Sequence, residues 1–361
     1  MTGDAVSPVV VVGGGVAGLC TAWRLRALGV SALVLEARDR VGGRTRTVSS
    51  GEVDADLGAA WYWPHHPRIA ELAEQLGVPT FPQHEAGDAL FESPTSVVRF
   101  RASTAAGARR FAGGAQRLSD RLAAELTGQV HCGVRVTRVE RASTDPVLTI
   151  TCADGRRLHA RHLVLAVPPR VIVDTITFAP DLPAALVDTL RRTPTWMGGT
   201  AKIVLHYPRP FWRDAGLSGF AVSQRGPLGE VHDHTPITGT DGALMGFFAG
   251  AGAYAGGDAL RLERVLAQLR RLFGEAAGTP LAVHEHAWWE DDTTSTAADR
   301  VPLLEHPGYG DPMLARGWWD ETLWFAATET APAQGGYLDG AIEAADRVVA
   351  QLQARGVTHD D

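Results

Sequence analysis

The stretch PVVVVGGGVAGLCTAWRLRALGVSALVLEA, residues 8–37, decides how this chain folds. Val9 to Val12 form an unbroken β-branched run, suited to a strand buried on both faces. Gly13, Gly15 and Gly18 then write G-x-G-x-x-G. The first glycine permits a tight turn, the second lets a pyrophosphate approach the backbone, and the third lets a helix pack close to the strand. An amphipathic helix from about Val16 to Leu28 follows, with Gly29 as its C-cap signal. A second strand, Ala32 to Leu35, delivers Glu36 at its end, where a carboxylate accepts both hydroxyls of an adenosine ribose and repels a 2'-phosphate. Strand, turn, helix, strand and acid in this order predict a dinucleotide-binding βαβ unit.

The rest of the composition narrows the class. At 361 residues the chain exceeds one compact core, so two intertwined domains are expected. Hydrophobic content of 45% and charged content of 21% are those of a soluble globular protein. A net charge of -7 with no basic cluster argues against nucleic acid and against an anionic membrane surface. The start MTGDAVSP runs straight into the first strand with no leader pattern, and no run approaches the roughly 20 apolar residues of a membrane span, so a cytoplasmic location is expected. Cys20, Cys132 and Cys152 are odd in number and not spaced for zinc; buried thiols are the expectation.

Further motifs follow the nucleotide signature. In ARDRVGGRTRTV, residues 37–48, Gly42 and Gly43 open the backbone and Arg44 offers a planar fork to a diphosphate. DADLGAAWYWP, residues 54–64, adds another glycine turn and three aromatic residues. The segment AKIVLHYPRPFW, residues 201–212, carries Lys202, the only lysine of the chain, on an apolar strand-like run where a long cation is ordinarily awkward. Near the end stands FAATETAPAQGGYLDGAIEA, residues 325–344. Carried by these ordered motifs, the chain resembles the flavin-containing amine oxidase family, which includes monoamine, polyamine and L-amino-acid oxidases, over most of its length.

The resemblance implies an α/β fold: a Rossmann-like FAD-binding domain with a parallel sheet and helices, interleaved with a mixed, mostly antiparallel sheet that forms the substrate domain. The corresponding division is 1–79, 110–191 and 292–361 for the FAD domain, and 80–109 with 192–291 for the substrate domain. The family carries a long helical insertion roofing the substrate cavity between Pro82 and Phe111; here only about 30 residues, rich in Ala, Ser, Thr and Arg, stand there. A compact, more open site without a membrane tail is expected.

The resemblance also assigns residues. Noncovalent FAD is expected on Gly13, Gly15, Gly18, Glu36, Arg38, Gly43, Arg44, Gly58, Ala59, Trp61, Val136, Glu329 and Leu338, since residues 290–325 hold no cysteine to tether it. Val136 would lie by the adenine, and Glu329 near the diphosphate or ribityl chain. Leu338 would open a helix whose positive end faces flavin N1 and O2. The catalytic pair would be Lys202 and Tyr337. In the family such a lysine holds a water toward flavin N5, a task for a compact ammonium rather than a broad guanidinium. Tyr337 would form one wall of an aromatic cage for the amine.

The opposite wall departs from the family. Ala298 or its neighbours stand where a second tyrosine is expected, Gln334 replaces a tryptophan and Ala327 the glycine of F-A-G, leaving Trp61, Trp63, Trp288 or Trp289 to supply a face. These departures weaken a simple monoamine as substrate more than they weaken a flavin oxidoreductase. His65 and His66 fall either near the isoalloxazine or on a surface loop. His284 and His286 share a strand face without a third ligand, so no metal is expected. Arg109 and Arg110 read as a solvated loop, or as a carboxylate site at the cavity mouth.

The leading expectation is therefore an FAD-dependent amine oxidase. Hydride transfer from the α carbon to flavin N5 would be followed by imine hydrolysis, with O2 taking the electrons to give H2O2. A second reading is an FAD-dependent desaturase or tailoring oxidoreductase on a larger or carrier-bound substrate. A third is a non-catalytic FAD-binding protein, against which the retention of Lys202, Arg44 and Glu329 argues.

Overall fold

The computed structural model describes residues 5–101, 107–142, 146–301, 303 and 305–357; the last four residues of the VTHDD ending and part of the stretch between Pro82 and Phe111 lie outside them. The opening valine run forms the strand Val6–Val12 at the centre of an eight-stranded sheet. It pairs in parallel with Ala32–Leu35 on one side and with Arg157–Leu165 on the other. Val9 and Val11 enter one hydrophobic core while Val10 and Val12 enter the other, which is why all four positions are β-branched and apolar. Each fully buried valine is worth about 1.5–3 kcal/mol.

The first core lies under the helices Val16–Ala27, Gln116–Glu125 and Leu338–Ala354. The second lies under Pro169–Thr175 and Ala184–Arg192. Arg157–Leu165 branches the sheet. Its first half pairs antiparallel with Leu148–Cys152, and its second half receives Leu323–Phe325 in parallel, so that one strand separates this late segment from Val6–Val12. Pro168 and Pro169 end the strand run and start a helix.

A second sheet of seven strands runs in the order Ala282–Ala287, Ala201–Tyr207, Gly242–Phe248, Leu228–Asp233, Leu217–Ser223, Asp88–Glu92, Val97–Phe100. All its pairings are antiparallel except Leu217–Ser223 with Asp88–Glu92. The α/β class with a mixed parallel sheet beside a mostly antiparallel one is thus the observed architecture. Strands of this sheet missing from the sequence reading are Leu228–Asp233, and Asp88–Glu92 with Val97–Phe100 in the short stretch between Pro82 and Phe111. The last of these is an edge strand with Val97, Val98 and Phe100 exposed. Among the described residues no helix is long and apolar enough to cross a membrane.

Candidate active site

The carboxyl ends of Val6–Val12 and Ala32–Leu35 open into a cavity of about 390 Å³, walled on its far side by the second sheet. Gly13 turns the chain out of the first strand at φ 107°, a conformation open to glycine, and a Cβ there would stand 2.6 Å from the Ala166 carbonyl oxygen. Gly15 caps the helix Val16–Ala27 with no side-chain hydrogen bond, leaving the positive end of that helix open to the cavity. Glu36, 3% exposed, lines the same space and accepts the Gly14 and Arg38 N–H groups at 2.7 and 2.9 Å.

Eleven of the thirteen residues expected to hold the cofactor line this one cavity, and Lys202 and Tyr337 line it with them. The two exceptions act from behind. Gly18 is a packing glycine, since a Cβ there would meet the Gly13 carbonyl oxygen at 2.0 Å. Glu329 is fully buried and binds both outer nitrogens of Arg44, at 2.6 and 3.1 Å. Burial by itself lowers the Arg44 pKa, but the Glu329 carboxylate more than offsets this and raises it. Arg38 lines the cavity while its guanidinium turns to Asp291 and Thr294.

A flavin adenine dinucleotide fits this donor set. A glycine turn without Cβ atoms, an open helix end and a carboxylate would hold the nucleotide half, and Arg44, which lines the same cavity, would supply positive charge for a diphosphate. Leu338 and Ala341, in the first turn of the helix Leu338–Ala354, bring a second helix N-terminus to the same cavity.

Lys202 occupies the second sheet and is 3% exposed. Its ammonium donates to the Gly58 carbonyl oxygen at 2.7 Å and lies 5.5 and 5.1 Å from the ring centres of Trp61 and Phe247. Burial pulls its pKa down to about 7, with Asp56 opposing that fall and Arg110 adding to it.

Tyr337 packs edge-on to Trp63 at 6.1 Å, tilts toward His66 at 5.2 Å and stacks on His306 at 5.0 Å. Of the four tryptophans proposed for the missing wall, Trp61, Trp63 and Trp288 line the cavity, and Trp289 packs on Tyr254 instead. Trp196, Met197 and Phe247 also line it and went unread. Phe247 reaches the cavity because it is the register partner of Lys202 on the next strand, a pairing that only the folded sheet sets. The 298 region faces elsewhere: Asp299 holds Arg170 and the Thr195 N–H. Gln334 meets His66 at 3.0 Å, and Ala327 lines the cavity.

Several expectations need correction. Arg110 is not a solvated loop residue: it is 3% exposed and donates to the Thr235 carbonyl at 2.8 Å. Arg109 is half-buried against Tyr62 and Thr80, and neither arginine lines the cavity. Cys132 is exposed, whereas Cys20 and Cys152 are buried. His66 is buried, which lowers its pKa, and His65 is exposed. His286 turns to Arg46, 2.9 Å away.

A family model described as flavin containing amine oxidoreductase matches residues 16–103 and 96–353. A Dictyostelium discoideum protein named "Probable flavin-containing monoamine oxidase A" is 24% identical over 454 aligned positions, covering 96% of this chain and 97% of that protein. A putrescine oxidase structure with bound putrescine superposes with a TM-score of 0.84 at 22% identity, covering 97% of this chain and all of the other. A cyclohexylamine oxidase from Brevibacterium oxydans IH-35A gives 0.83 at 21% identity, covering 97% and 99%.

Proposed function

The chain belongs to the family of flavin-containing amine oxidoreductases, and from that premise we propose that it is an FAD-dependent oxidase of amines. The observation that carries this reading is Lys202, the sole lysine of the chain, buried in the wall of the cavity that the nucleotide motif opens. When bound, FAD supplies an acceptor for the hydride equivalent leaving the carbon next to nitrogen, and passes both electrons to O2. For a primary amine the balance is amine, O2 and water giving aldehyde, ammonia and H2O2.

The chain's own residues would bind, orient and shield. Tyr337 and Trp63 present ring faces and edges to the amine and its α carbon, an arrangement that favours a near-attack geometry. Lys202 offers an N–H to a water at the cavity wall and holds a proton whose release costs little near neutral pH. Arg44, oriented by Glu329, would donate to the diphosphate, and the open end of the helix Leu338–Ala354 would stabilise negative charge on the reduced flavin. No cysteine lines the cavity among the described residues, which supports noncovalent attachment.

A second reading, a tailoring oxidoreductase for a larger substrate, draws on one observation. The family match is broken into two pieces that meet at residues 96–103, on the exposed edge strand Val97–Phe100, and the relative aligns over 454 positions against a chain of 361 residues. One experiment decides between the two. The purified yellow protein is mixed without oxygen with primary amines, polyamines and L-amino acids, and its visible spectrum is followed. Bleaching by one class, reversed by air with release of H2O2, is the expected result; an intact flavin spectrum with every amine would overturn it in favour of the second reading.

A further inference from the structure

Behind Lys202 lies a buried group of charged and titratable side chains that touches neither the cavity nor solvent. Asp56, two residues before the Gly58 carbonyl that Lys202 grips, is fully buried. One of its oxygens is locked by the Thr47 hydroxyl at 2.6 Å and the Ala115 N–H at 2.9 Å. Gly114 leaves room for that lock, since a Cβ on it would stand 2.9 Å from the same oxygen. The other oxygen has no hydrogen-bond donor among the described residues.

His234 does not neutralise it. Its Nε2 lies 3.8 Å from that oxygen and 3.1 Å from the Asp56 backbone nitrogen. The same Nε2 also lies 3.3 Å from the Asp54 carbonyl oxygen, so its contacts are to backbone and not to the Asp56 carboxylate, and the imidazole is fully buried. Burial, with Arg110 and Lys202 nearby, pushes the His234 pKa well below its ordinary value. Asp233, the next carboxylate, is spent on Arg213 at 2.9 Å and Trp212 at 2.8 Å. On the strands flanking Lys202, the register partners are apolar Phe247 and His286, which is engaged by Arg46 and lies 3.9 Å from Asp291. Asp56 is left as the carboxylate acting on Lys202, and Arg110 as the cation opposing it; burial raises the pKa of Asp56 itself, and Arg110, the Thr47 hydroxyl, the Ala115 N–H and Lys202 each pull it back down.

We propose that Asp56 is a positioning residue for Lys202: its buried carboxylate holds the lysine's proton in place, and its anchored strand end holds the Gly58 carbonyl that orients the ammonium. Asp56 acts through the lysine and not on the substrate, because it is absent from the cavity lining. The consequence for turnover rests on the role given to Lys202 above; the consequence for the lysine's titration does not.

Because Lys202 is the only lysine, holoenzyme grown with lysine labelled by 13C at Cε gives one side-chain resonance that reports its titration without assignment. Removing a neighbouring anion lowers a lysine's midpoint and removing a neighbouring cation raises it. The expected midpoint in Asp56→Asn is lower than in the native enzyme by about one pH unit or more, and in Arg110→Gln it is higher. Thr47→Val, which releases the hydroxyl lock on the carboxylate along with the Gln116 N–H that the same hydroxyl accepts, moves it in the same direction as Asp56→Asn and covers the case in which that variant fails to fold. The pH profile of flavin reoxidation by O2 should follow the resonance in each folded variant. A midpoint unmoved in folded Thr47→Val and Arg110→Gln overturns the proposal, as does a resonance that moves while the reoxidation profile does not. A Lys202→Met enzyme with both half-reactions unchanged would instead overturn the reading of the lysine itself.

Discussion

Lys202 donates to the Gly58 carbonyl at 2.7 Å, so the sole lysine of the chain is tied to the glycine turn that lines the same cavity. Replacing it by methionine keeps the length and apolar stem and removes the charge. Lys202→Met should keep its full complement of FAD while the slower half-reaction falls by about 10²-fold, the usual effect of deleting a preorganised donor. Stopped-flow traces of reduction by amine and of reoxidation by O2 give both rates.

The same lysine has a signature in stability. Burial lowers its pKa from 10.5 to about 7, so between those values the unfolded chain binds a proton that the folded chain sheds. The cost of the buried charge is therefore complete below about pH 7 and disappears as pH rises toward 10.5. Across that window the Tm of the native protein should rise relative to that of Lys202→Met, by several degrees in all. Parallel curves would refute the lowered pKa.

Two glycines of the nucleotide turn should separate folding from binding. At Gly15 a Cβ would meet no atom of the protein closer than 3.9 Å, whereas at Gly18 it would strike the Gly13 carbonyl oxygen at 2.0 Å. Gly15→Ala is expected to fold with a native Tm and to lose most of its FAD. Gly18→Ala is expected to unfold at markedly lower temperature. Calorimetry with flavin absorbance on the same samples distinguishes them.

Glu329 is fully buried and Arg44 faces the cavity, so the pair is a charged clamp with one open side. Glu329→Gln leaves a partly exposed guanidinium without its counter-ion and without a fixed orientation, and should weaken FAD retention on gel filtration. Arg44→Lys should not rescue binding, because an ammonium cannot reproduce the two-point contact.

Tyr337 acts through its ring. Its faces and edges meet Trp63, His66 and His306. Tyr337→Phe should hold kcat/KM for a good amine within about threefold, and Tyr337→Ala should lower it by about tenfold or more. A large loss in the phenylalanine variant would move the role to the hydroxyl.

How much of this was legible in the chain follows from the range of the interactions involved. The nucleotide turn was fully readable, because Gly13, Gly15, Gly18 and Glu36 act within one local βαβ unit whose geometry is set by backbone sterics and strand burial. The tryptophan that faces Tyr337, the burial of Arg110 and the strands around residues 88–100 were not readable. Val97–Phe100 is a strand only because Asp88–Glu92 lies beside it, and Asp88–Glu92 in turn pairs with Leu217–Ser223 more than a hundred residues away. The sequence by itself determined that the chain has a dinucleotide turn and that one cation differs from all the others. Only the tertiary structure decided what that cation feels: the buried Asp56 carboxylate, the Gly58 carbonyl and the Trp61 ring arrive beside Lys202 from one segment far back in the chain, and the Phe247 ring arrives from the neighbouring strand. Desolvation and charge in a packed interior depend on neighbours in space, and no local pattern of residues encodes them.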